Sequence, residues 1–552
     1  MFRFLPRSWP LTIAFGALLI GCSVLLRFAF GGAFSFIQPV HAALNPEGLI
    51  GVAFIAVCLL LATGNQHLDP PPVEKASHNF LFIGIIVLVT ALAFGSSLQD
   101  PFLADDWGLV GQASTESLKQ VVSRSLLTHP TSGDFFFRPL VYLLSWLDFR
   151  LAGYNPFLWH LWNLLVHTAN SLLVYALCRQ LRFRGVVCCI AALLFAVHGA
   201  RPEVVCWAAA RYDLLAFFFS AVALIAALRY AESGAARWLV VSPVAAVLAV
   251  SSKESAFCLP LILAALFLFR NSGWSRAARR VLLCVSAACA AVLLYRTWFL
   301  RGVGGYRNGN GTSSVTIFHP LLSLKALFFR APAILFFPIN WSSALGPAMK
   351  IALAGMVICL VVGALTTRSA RRPPLCSLVI LLFALLPVQH LLLIGPSLTG
   401  ARVLYLPSLG FALFWATILS SPAHRTSQIG LGSILLAAQL TFLRHNVAVW
   451  QEVSVLSQQV CRDVAILTEA GSPVFVTDLP STFKGVYFLA NGFDECVGRV
   501  PNARPPGVVQ LKRFSKPDPC GGLRLVWNDG AQKFNRYEGA CSPGIPPANK
   551  TR

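Results

Sequence analysis

Long apolar segments recur along almost the whole chain, and they limit its possible folds more than any other feature. A membrane-spanning helix needs about 20 mostly apolar residues. Only 12% of the 552 residues are charged, whereas a soluble domain has about 25%. The sequence therefore predicts an all-α polytopic membrane protein of about 13 transmembrane helices. The predicted spans are 9–30, 47–63, 79–97, 157–178, 186–199, 213–230, 237–251, 255–270, 281–299, 347–366, 375–394, 403–421 and 427–443.

The basic residues indicate the orientation of these spans. The net charge is +22, and most short Arg-rich loops fall on one side if the chain crosses thirteen times. Because Lys and Arg concentrate on the cytoplasmic side, we expect a cytoplasmic N-terminus and an extracytoplasmic C-terminus, in a bacterial cytoplasmic (inner) membrane. The charge then reflects topology, and no nucleic-acid partner is expected. A span at 320–340 would place "RSARRPP" outside, so this segment is interpreted as an interfacial or re-entrant element on the outer face.

The composition divides the chain into three predicted parts. Residues 1–78 are predicted to form an N-terminal helical hairpin, 79–450 a transmembrane core with a large outer loop at 98–156, and 451–552 a C-terminal extracytoplasmic domain. Short β-like segments in 471–552 predict a small, mainly-β fold for that domain. Its cysteines predict one or two disulfides in an oxidising compartment, with the pairing left open. They are Cys461, Cys496, Cys520 and Cys541.

Acidic and basic residues are unevenly distributed. No Asp or Glu occurs between Glu254 and Glu452, whereas carboxylates collect on the predicted outer side of the first half. Outward basic residues in the acid-free stretch therefore have no nearby partner in sequence and suit a phosphate, which Arg binds through paired hydrogen bonds. Contact with lipid headgroups is the alternative for each; for Arg330 and Arg402 we favour a role in substrate binding.

The segment "LADDWGLVGQ" carries the first candidate site, directly after a predicted span. Asp105 and Asp106 are adjacent, and two partly desolvated carboxylates cannot both ionise freely, so one pKa should rise. Such a group suits a general base that acts on a hydroxyl; capping of a helix N-terminus is the alternative. Amphipathic segments at 113–127 and 139–152, joined by "FFFRPL" with Arg138, predict interfacial helices that roof an active site.

Three further motifs lie at predicted outer helix junctions. "HGARPEVVCWAAARYDLLA" spans 198–216, "SSKESAFCLP" interrupts an apolar hairpin with charge, and "GPSLTGARVLYLPSLGF" spans 395–411. A simple Arg211–Asp213 ion pair is one alternative for the first motif. The predicted substrate-binding residues are Arg138, His198, Glu203, Arg211, Asp213, Lys253, Glu254, Arg330, Arg402 and Tyr405.

Four segments together resemble the membrane core of the GT-C superfamily: "NPFLWHLWNLLVHTANSLLVY", "HGARPEVVCWAAARYDLLA", "SSKESAFCLP" and "ARVLYLPSLGF". The likeness, over roughly 79–450, is to transmembrane tetratricopeptide-repeat O-mannosyltransferases and their bacterial relatives. It implies transfer of a sugar from a polyprenyl-phosphate donor, with Asp105 and Asp106 matching the family's acidic pair. The chain departs from the family in lacking the repeats and in having Val403 where an aromatic residue is usual.

The hypothesis is glycosyl transfer to a protein, lipid or glycan hydroxyl at the outer membrane surface. Asp105 or Asp106 accepts the hydroxyl proton, and Arg402, helped by Arg330 or Lys325, meets the donor phosphate. Positive charge comes from these side chains or from a divalent metal such as Mg²⁺ or Mn²⁺; the sequence is compatible with both. The alternatives are a transporter or lipid flippase, and a glycan polymerase or ligase that uses lipid-linked sugars.

Overall fold

The structure is a computed structural model that describes most of the chain after residue 75. The predicted spans 9–30 and 47–63 lie outside the described residues, as do Cys520 and Cys541. The described ranges are 76–130, 136–270, 275–302, 304–305, 326–342, 345–366, 372–386, 394–395, 397–420, 425–467, 474–489, 491–500, 508–510 and 523–536.

Helices dominate these residues, as the apolar segments predict. Short 3₁₀ or π turns accompany them at Gly95–Gln99, Ser123–Leu127, Ala208–Ala210, Glu254–Cys258, Ala326–Arg330 and Ala401–Leu404. The α-helices are α1 (Ala76–Phe94), α2 (Asp105–Thr115), α3 (Leu118–Val122), α4 (Pro139–Ala152), α5 (Pro156–Gln180), α6 (Gly185–Ala196), α7 (Pro202–Val205), α8 (Arg211–Ser233), α9 (Ala236–Ser252), α10 (Leu259–Phe269), α11 (Arg276–Leu300), α12 (Ala331–Phe336), α13 (Pro347–Thr366), α14 (Arg372–Leu385), α15 (Ser408–Ser420), α16 (Arg425–Leu467) and α17 (Phe493–Gly498).

Five helical segments are long and apolar enough to cross a membrane. They are Asn79–Gln99, Pro156–Gln180, Ala208–Ser233, Arg276–Leu300 and Thr426–Leu467, and seven shorter apolar helices accompany them. A multi-pass membrane protein is therefore confirmed. Each predicted span after residue 78 overlaps a helix, although part of 375–394 lies outside the described residues, and the count of thirteen stays a prediction.

The segment predicted to be interfacial or re-entrant is described from residue 326 and is a buried, broken element. A π turn leads into the six-residue helix α12, which is too short to cross a bilayer. Phe336 packs its ring against Phe411, Phe414 and Trp415. This element therefore anchors to the protein core rather than lying on its surface.

The core is centred on α15, whose residues 408–419 are all buried. Gly410 allows α14 to approach closely, because a Cβ at this position would lie 2.6 Å from the backbone nitrogen of Leu381. Beside this contact, the Tyr405 hydroxyl is 2.7 Å from Nδ1 of His167 and accepts a hydrogen bond from Asn170. The Tyr405 hydroxyl is thus bonded to two buried polar side chains, as an apolar environment favours.

The C-terminal region contains a small mixed sheet beside the 43-residue helix α16. The four-stranded sheet has the order β4 (Val508–Gln510), β1 (Val474–Thr477), β5 (Leu523–Asn528) and β6 (Lys533–Arg536). β1 pairs in parallel with β4 and β5, and β5 pairs antiparallel with β6. β2 (Thr482–Phe483) and β3 (Val486–Tyr487) form a hairpin.

One disulfide fastens this region to the membrane core. Cys461 of α16 is bonded to Cys496 of α17, which follows the hairpin. The pairing that the sequence left open is therefore settled for these two cysteines. The described residues of this region form both strands and the helix α17. The mainly-β fold of the whole domain therefore stays a prediction.

Candidate active site

The acidic pair lies at the first turn of α2, where its two members occupy different environments. Ala104, which precedes the helix, has φ of 47°, a left-handed conformation that is unfavourable for a residue with a Cβ. Asp106 is fully buried. Asp105 is half-buried, and its Oδ1 accepts a hydrogen bond of 2.6 Å from Asn491 of the C-terminal domain. The two adjacent carboxylates are therefore not equivalent.

Both oxygens of Asp106 are used inside the protein. Oδ2 accepts a hydrogen bond from the Leu103 backbone at 3.0 Å, and Oδ1 accepts one from the Ala209 backbone at 2.6 Å. Burial raises the pKa of Asp106 to about 7, opposed by these two hydrogen bonds, with a smaller contribution from the charge of Asp105. Asp106 thus joins α2 to the start of α8, which leaves Asp105 as the accessible carboxylate.

A buried ion pair between Arg211 and Asp148 lies near the acidic pair. Arg211, at the first position of α8, is paired with Asp148 of α4 and lies 4.6 Å over the ring of Trp159. Arg211 is also within electrostatic reach of Asp106. The partner of Arg211 is therefore Asp148 from the roof of the site, rather than Asp213, the alternative suggested by the sequence.

Asp213 and Glu254 belong to two further ion pairs at neighbouring helix ends. The ammonium group of Lys253 contacts both oxygens of Asp213 at 2.6 and 2.7 Å. Arg138 binds Glu254 through two hydrogen bonds of 2.7 and 3.2 Å. Because "SSKESAFCLP" breaks the helix between α9 and α10, adjacent Lys253 and Glu254 reach different partners.

Tyr212 connects these pairs to the acidic motif. The guanidinium of Arg138 lies 4.8 Å from the Tyr212 ring, and Tyr212 is close enough to Asp105 to interact with its charge. The result is a continuous network along neighbouring helix ends. Its members are Asp105, Asp106, Arg138, Asp148, Glu203, Arg211, Tyr212, Asp213, Lys253, Glu254 and Arg402.

Arg402 is not an unpaired cation, which corrects the expectation based on the acid-free stretch. Its guanidinium is paired with Glu203, and its backbone N–H donates to the same carboxylate at 3.2 Å. It also lies over the rings of Trp207 and Tyr487. Burial raises the pKa of Glu203 against the effect of Arg402. The sequence did not indicate this pair, because Arg402 lies in the acid-free stretch and its partner Glu203 comes from α7.

Three predicted substrate-binding residues lie away from the network. Tyr405 is buried beside His167. His198 is buried as well, with Nε2 2.7 Å from the Leu335 carbonyl. Arg330 donates to the Ile394 carbonyl at 2.9 Å. These contacts favour structural roles for Tyr405 and His198 and place Arg330 at the end of the π turn that leads into α12.

The structure adds residues to the site that the motifs did not indicate. Asp148 has a weak sequence signal, since it interrupts the apolar face of α4. Asn491, Tyr487 and Tyr212 are ordinary in sequence and acquire their positions only through tertiary contacts. Within the described ranges, no group of three or more His, Cys, Asp and Glu side chains is arranged to hold a metal ion.

Curated proteins with similar sequences share one name. A protein O-mannosyl-transferase of Caenorhabditis elegans is 25% identical over 413 residues, which cover 68% of this chain and 57% of that protein. Protein O-mannosyl-transferase TMTC1 of Homo sapiens is 29% identical over 26% of this chain and 18% of its own length. The chain thus spans little more than half of the first relative and under a fifth of the second. No family model matches the sequence.

Two solved structures align with most of this chain at low TM-score. ArnT from Cupriavidus metallidurans bound to undecaprenyl phosphate aligns with 83% of this chain and 94% of its own, at 14% identity and a TM-score of 0.42. The arabinofuranosyltransferase AftD from Mycobacteria aligns with 81% of this chain and 32% of its own, at 14% identity and a TM-score of 0.43. The resemblance indicated by the four motifs is confirmed by the curated relatives: this chain is similar in sequence to proteins named as O-mannosyltransferases, over 68% of its length in the longer of these two alignments.

Proposed function

We propose that the protein is a GT-C-type membrane glycosyltransferase. It transfers a hexosyl group such as mannosyl from a polyprenyl-phosphate donor to a protein, lipid or glycan hydroxyl on the extracytoplasmic face. The named activity of the sequence relatives supports the reaction class. The lipid-linked donor follows from the resemblance and suits a site at the outer ends of apolar helices.

The observation that carries this proposal is the inequality of the two adjacent carboxylates. Asp106 has both oxygens bound by backbone N–H groups, so it holds the helix start in place. Asp105 is half-buried, and its Oδ2 makes no hydrogen bond to any residue that the structure describes. A fixed carboxylate with one unoccupied oxygen suits a general base for a hydroxyl.

The proposed step is a single displacement. The acceptor oxygen attacks C1 of the sugar while Oδ2 of Asp105 takes the hydroxyl proton. The bond between C1 and the phosphate oxygen breaks, and the polyprenyl phosphate leaves with the bonding electrons. Attack from the side opposite the leaving group inverts the configuration at C1. Fixed positive charge near the departing phosphate lowers the barrier because it is already oriented when the negative charge develops.

Arg296 and Arg138 are better placed than Arg402 to supply that charge. The side chain of Arg296 is only 7% exposed, and its guanidinium makes no hydrogen bond within the described part of the chain. It lies within electrostatic reach of Arg138 and of Glu254, the carboxylate that Arg138 binds. The excess positive charge at this point suits a phosphate, whereas Arg402 is neutralised by Glu203.

The Cys461–Cys496 disulfide supports the proposed sidedness. Disulfides persist in oxidising compartments, so the C-terminal domain and the site that it contacts belong on the extracytoplasmic face. The same orientation keeps the Arg-rich loops in the cytoplasm. An inner-membrane location follows if the protein acts in a bacterium.

The test is sugar transfer by the purified full-length protein in lipid nanodiscs. The donor is radiolabelled mannosyl-phosphoryl-polyprenol, and a panel of peptide, lipid and glycan hydroxyls serves as acceptor. We expect D105N to lose transfer about 100- to 10,000-fold, while E452Q, at an exposed surface pair, retains it. Movement of intact donor between leaflets without sugar transfer would indicate a transporter, and use of only pyrophosphate-linked oligosaccharides a polymerase or ligase. Full activity of D105N would contradict the assignment of the base.

A further inference from the structure

The C-terminal domain meets the membrane core at both ends of the charged network. Tyr487 stacks on Trp207 with ring centroids 5.2 Å apart and faces Arg402. Farther along the domain, Asn491 reaches Asp105. The domain therefore covers the acidic motif and the Glu203–Arg402 pair with one continuous stretch of chain, from the β2–β3 hairpin to α17.

Two glycines make this close contact possible. Gly485 has φ of +84°, and a Cβ there would lie 2.1 Å from the Ser397 carbonyl oxygen. Gly492 has φ of +74°, and a Cβ would lie 2.6 Å from the Ala104 carbonyl oxygen and 2.7 Å from Cβ of Trp107. Any larger residue at these points would separate the domain from the core. The two turns are thus shaped to fit against the catalytic motifs.

Asn491 immediately precedes the second of these glycines, so its position is fixed by the turn. Its Nδ2 donates to Oδ1 of Asp105 at 2.6 Å, and only the amide nitrogen can donate to a carboxylate. The disulfide at Cys496 holds α17 against α16 four residues beyond Gly492. The hydrogen bond is thus supported on one side by the strained start of α2 and on the other by a covalent link.

We propose that Asn491 is a positioning residue for glycosyl transfer. It holds Oδ1 of Asp105 so that Oδ2 faces the acceptor hydroxyl, and it supplies this contact from a domain outside the membrane. This inference rests on the proposed function. It makes the C-terminal domain part of the reaction centre and not merely a module that recruits acceptors.

Several charged and titratable groups surround Asp105 and bear on the pH dependence of Asn491 variants. Asp106 is the neighbour of Asp105 on α2, and Tyr212 of α8 lies close enough to Asp105 to interact with its charge. On α17, Glu495 packs against α2 at Gly111 and Arg499 contacts Tyr154. Asn491 is uncharged, and it donates a hydrogen bond to the Asp105 carboxylate. Replacing it with Asp places a second carboxylate against Asp105, which disfavours the ionised, proton-accepting form.

The experiment compares N491A, N491D and N491Q with N535A, which alters an exposed asparagine of β6 in the same domain. Kinetic constants for both substrates are measured from acidic to neutral pH in nanodiscs. Formation of the Cys461–Cys496 disulfide on non-reducing gels verifies that each variant is folded. We expect N491A to lower kcat about tenfold to a hundredfold with little change in KM.

The pH profile separates positioning from a structural role. We expect the acidic limb of the N491D profile to move up by about 1 pH unit, and N491Q to recover part of the activity lost in N491A. Kinetic constants and profiles equal to those of N535A would overturn the inference while leaving D105N inactive and the proposed function intact. A wild-type protein that transfers no sugar would instead overturn the proposed function, and the inference with it.

Discussion

Arg402 and Glu203 are 199 residues apart in sequence, yet they form one part-buried ion pair. The carboxylate also accepts backbone hydrogen bonds from Gly400 at 3.1 Å and from Arg402 at 3.2 Å. The pair therefore fixes the loop before α15 onto α7. An acidic side chain from the first half of the chain and a basic side chain from the second half thus neutralise each other.

The first prediction concerns this pair. E203Q leaves the part-buried guanidinium of Arg402 without its counter-charge. Because this side chain is 19% exposed, we expect a cost below the roughly 3–5 kcal/mol of a fully buried pair. We expect a clear fall in the thermal unfolding midpoint measured in detergent. E452Q is the matched control, because the Lys484–Glu452 pair is exposed and contributes about 0–1 kcal/mol. Equal midpoints for the two variants would show that the Glu203 pair is not structural.

The second prediction concerns pH. Burial raises the pKa of both Asp106 and Asp100 to about 7 from 3.8, so the folded state holds protons that the unfolded state releases. This contribution to stability is complete below pH 3.8 and is lost as the pH rises through about 7. We expect the unfolding midpoint to fall between pH 4 and pH 7, with a shallower slope in the D106N/D100N variant. Parallel slopes for that variant and the wild type would contradict the assignment.

The third prediction tests the fit of the C-terminal domain. G492A introduces a Cβ into contact with Ala104 and Trp107 at a left-handed backbone position. We expect transfer activity to fall at least tenfold and α17 to become more sensitive to protease. G530A is the control, because its nearest neighbour would be 3.5 Å away, an ordinary contact, at a position without a left-handed φ. Similar proteolysis of G492A and G530A would argue against close docking.

The fourth prediction concerns the disulfide between α16 and α17. Removing it in a C461S/C496S variant should destabilise the C-terminal domain by about 2–4 kcal/mol. The expected sign is faster cleavage of residues after 467 in limited proteolysis, with the helical core retained. Treating the wild type with a reductant should reproduce the effect. A wild type that shows no mobility change on reduction would indicate that the cysteines are free.

The fifth prediction concerns Tyr405, which the sequence places among the substrate-binding residues. The structure buries its hydroxyl between His167 and Asn170. Y405F should therefore cost about 1–3 kcal/mol of stability and leave the KM for donor unchanged. Y295F, which removes a more exposed hydroxyl, serves as the control. A raised donor KM in Y405F without loss of stability would restore the substrate-binding role.

The helices were predictable because each follows from a local property, the apolar run. For 213–230 the structure gives Arg211–Ser233, and for 281–299 it gives Arg276–Leu300. The segment 427–443 was underestimated: α16 continues to Leu467, because its outer half packs on the C-terminal domain and needs only one apolar face. Tertiary burial, rather than hydropathy, sets the end of that helix.

The acidic motif was visible in the sequence because two adjacent carboxylates beside an apolar run are costly and therefore conspicuous. The ion-pair partners of the charged residues could not be predicted from the sequence. Lys253 and Glu254 are neighbours in sequence but bind Asp213 and Arg138, which lie on different elements. Counting charges along the chain could not reveal that Arg402 is neutralised from α7, since pairing depends on which helix ends meet in space.

The contact between Asn491 and Asp105 joins residues 386 positions apart, and this separation bears on how the protein is made. Translation delivers the acidic motif to the membrane long before it delivers its partner. An unfinished chain thus exposes the Ala104 turn without the surface that fits against it. Assembly of this site must wait until the segment that carries Asn491 and Cys496 has been synthesised, so the site can form only late in translation.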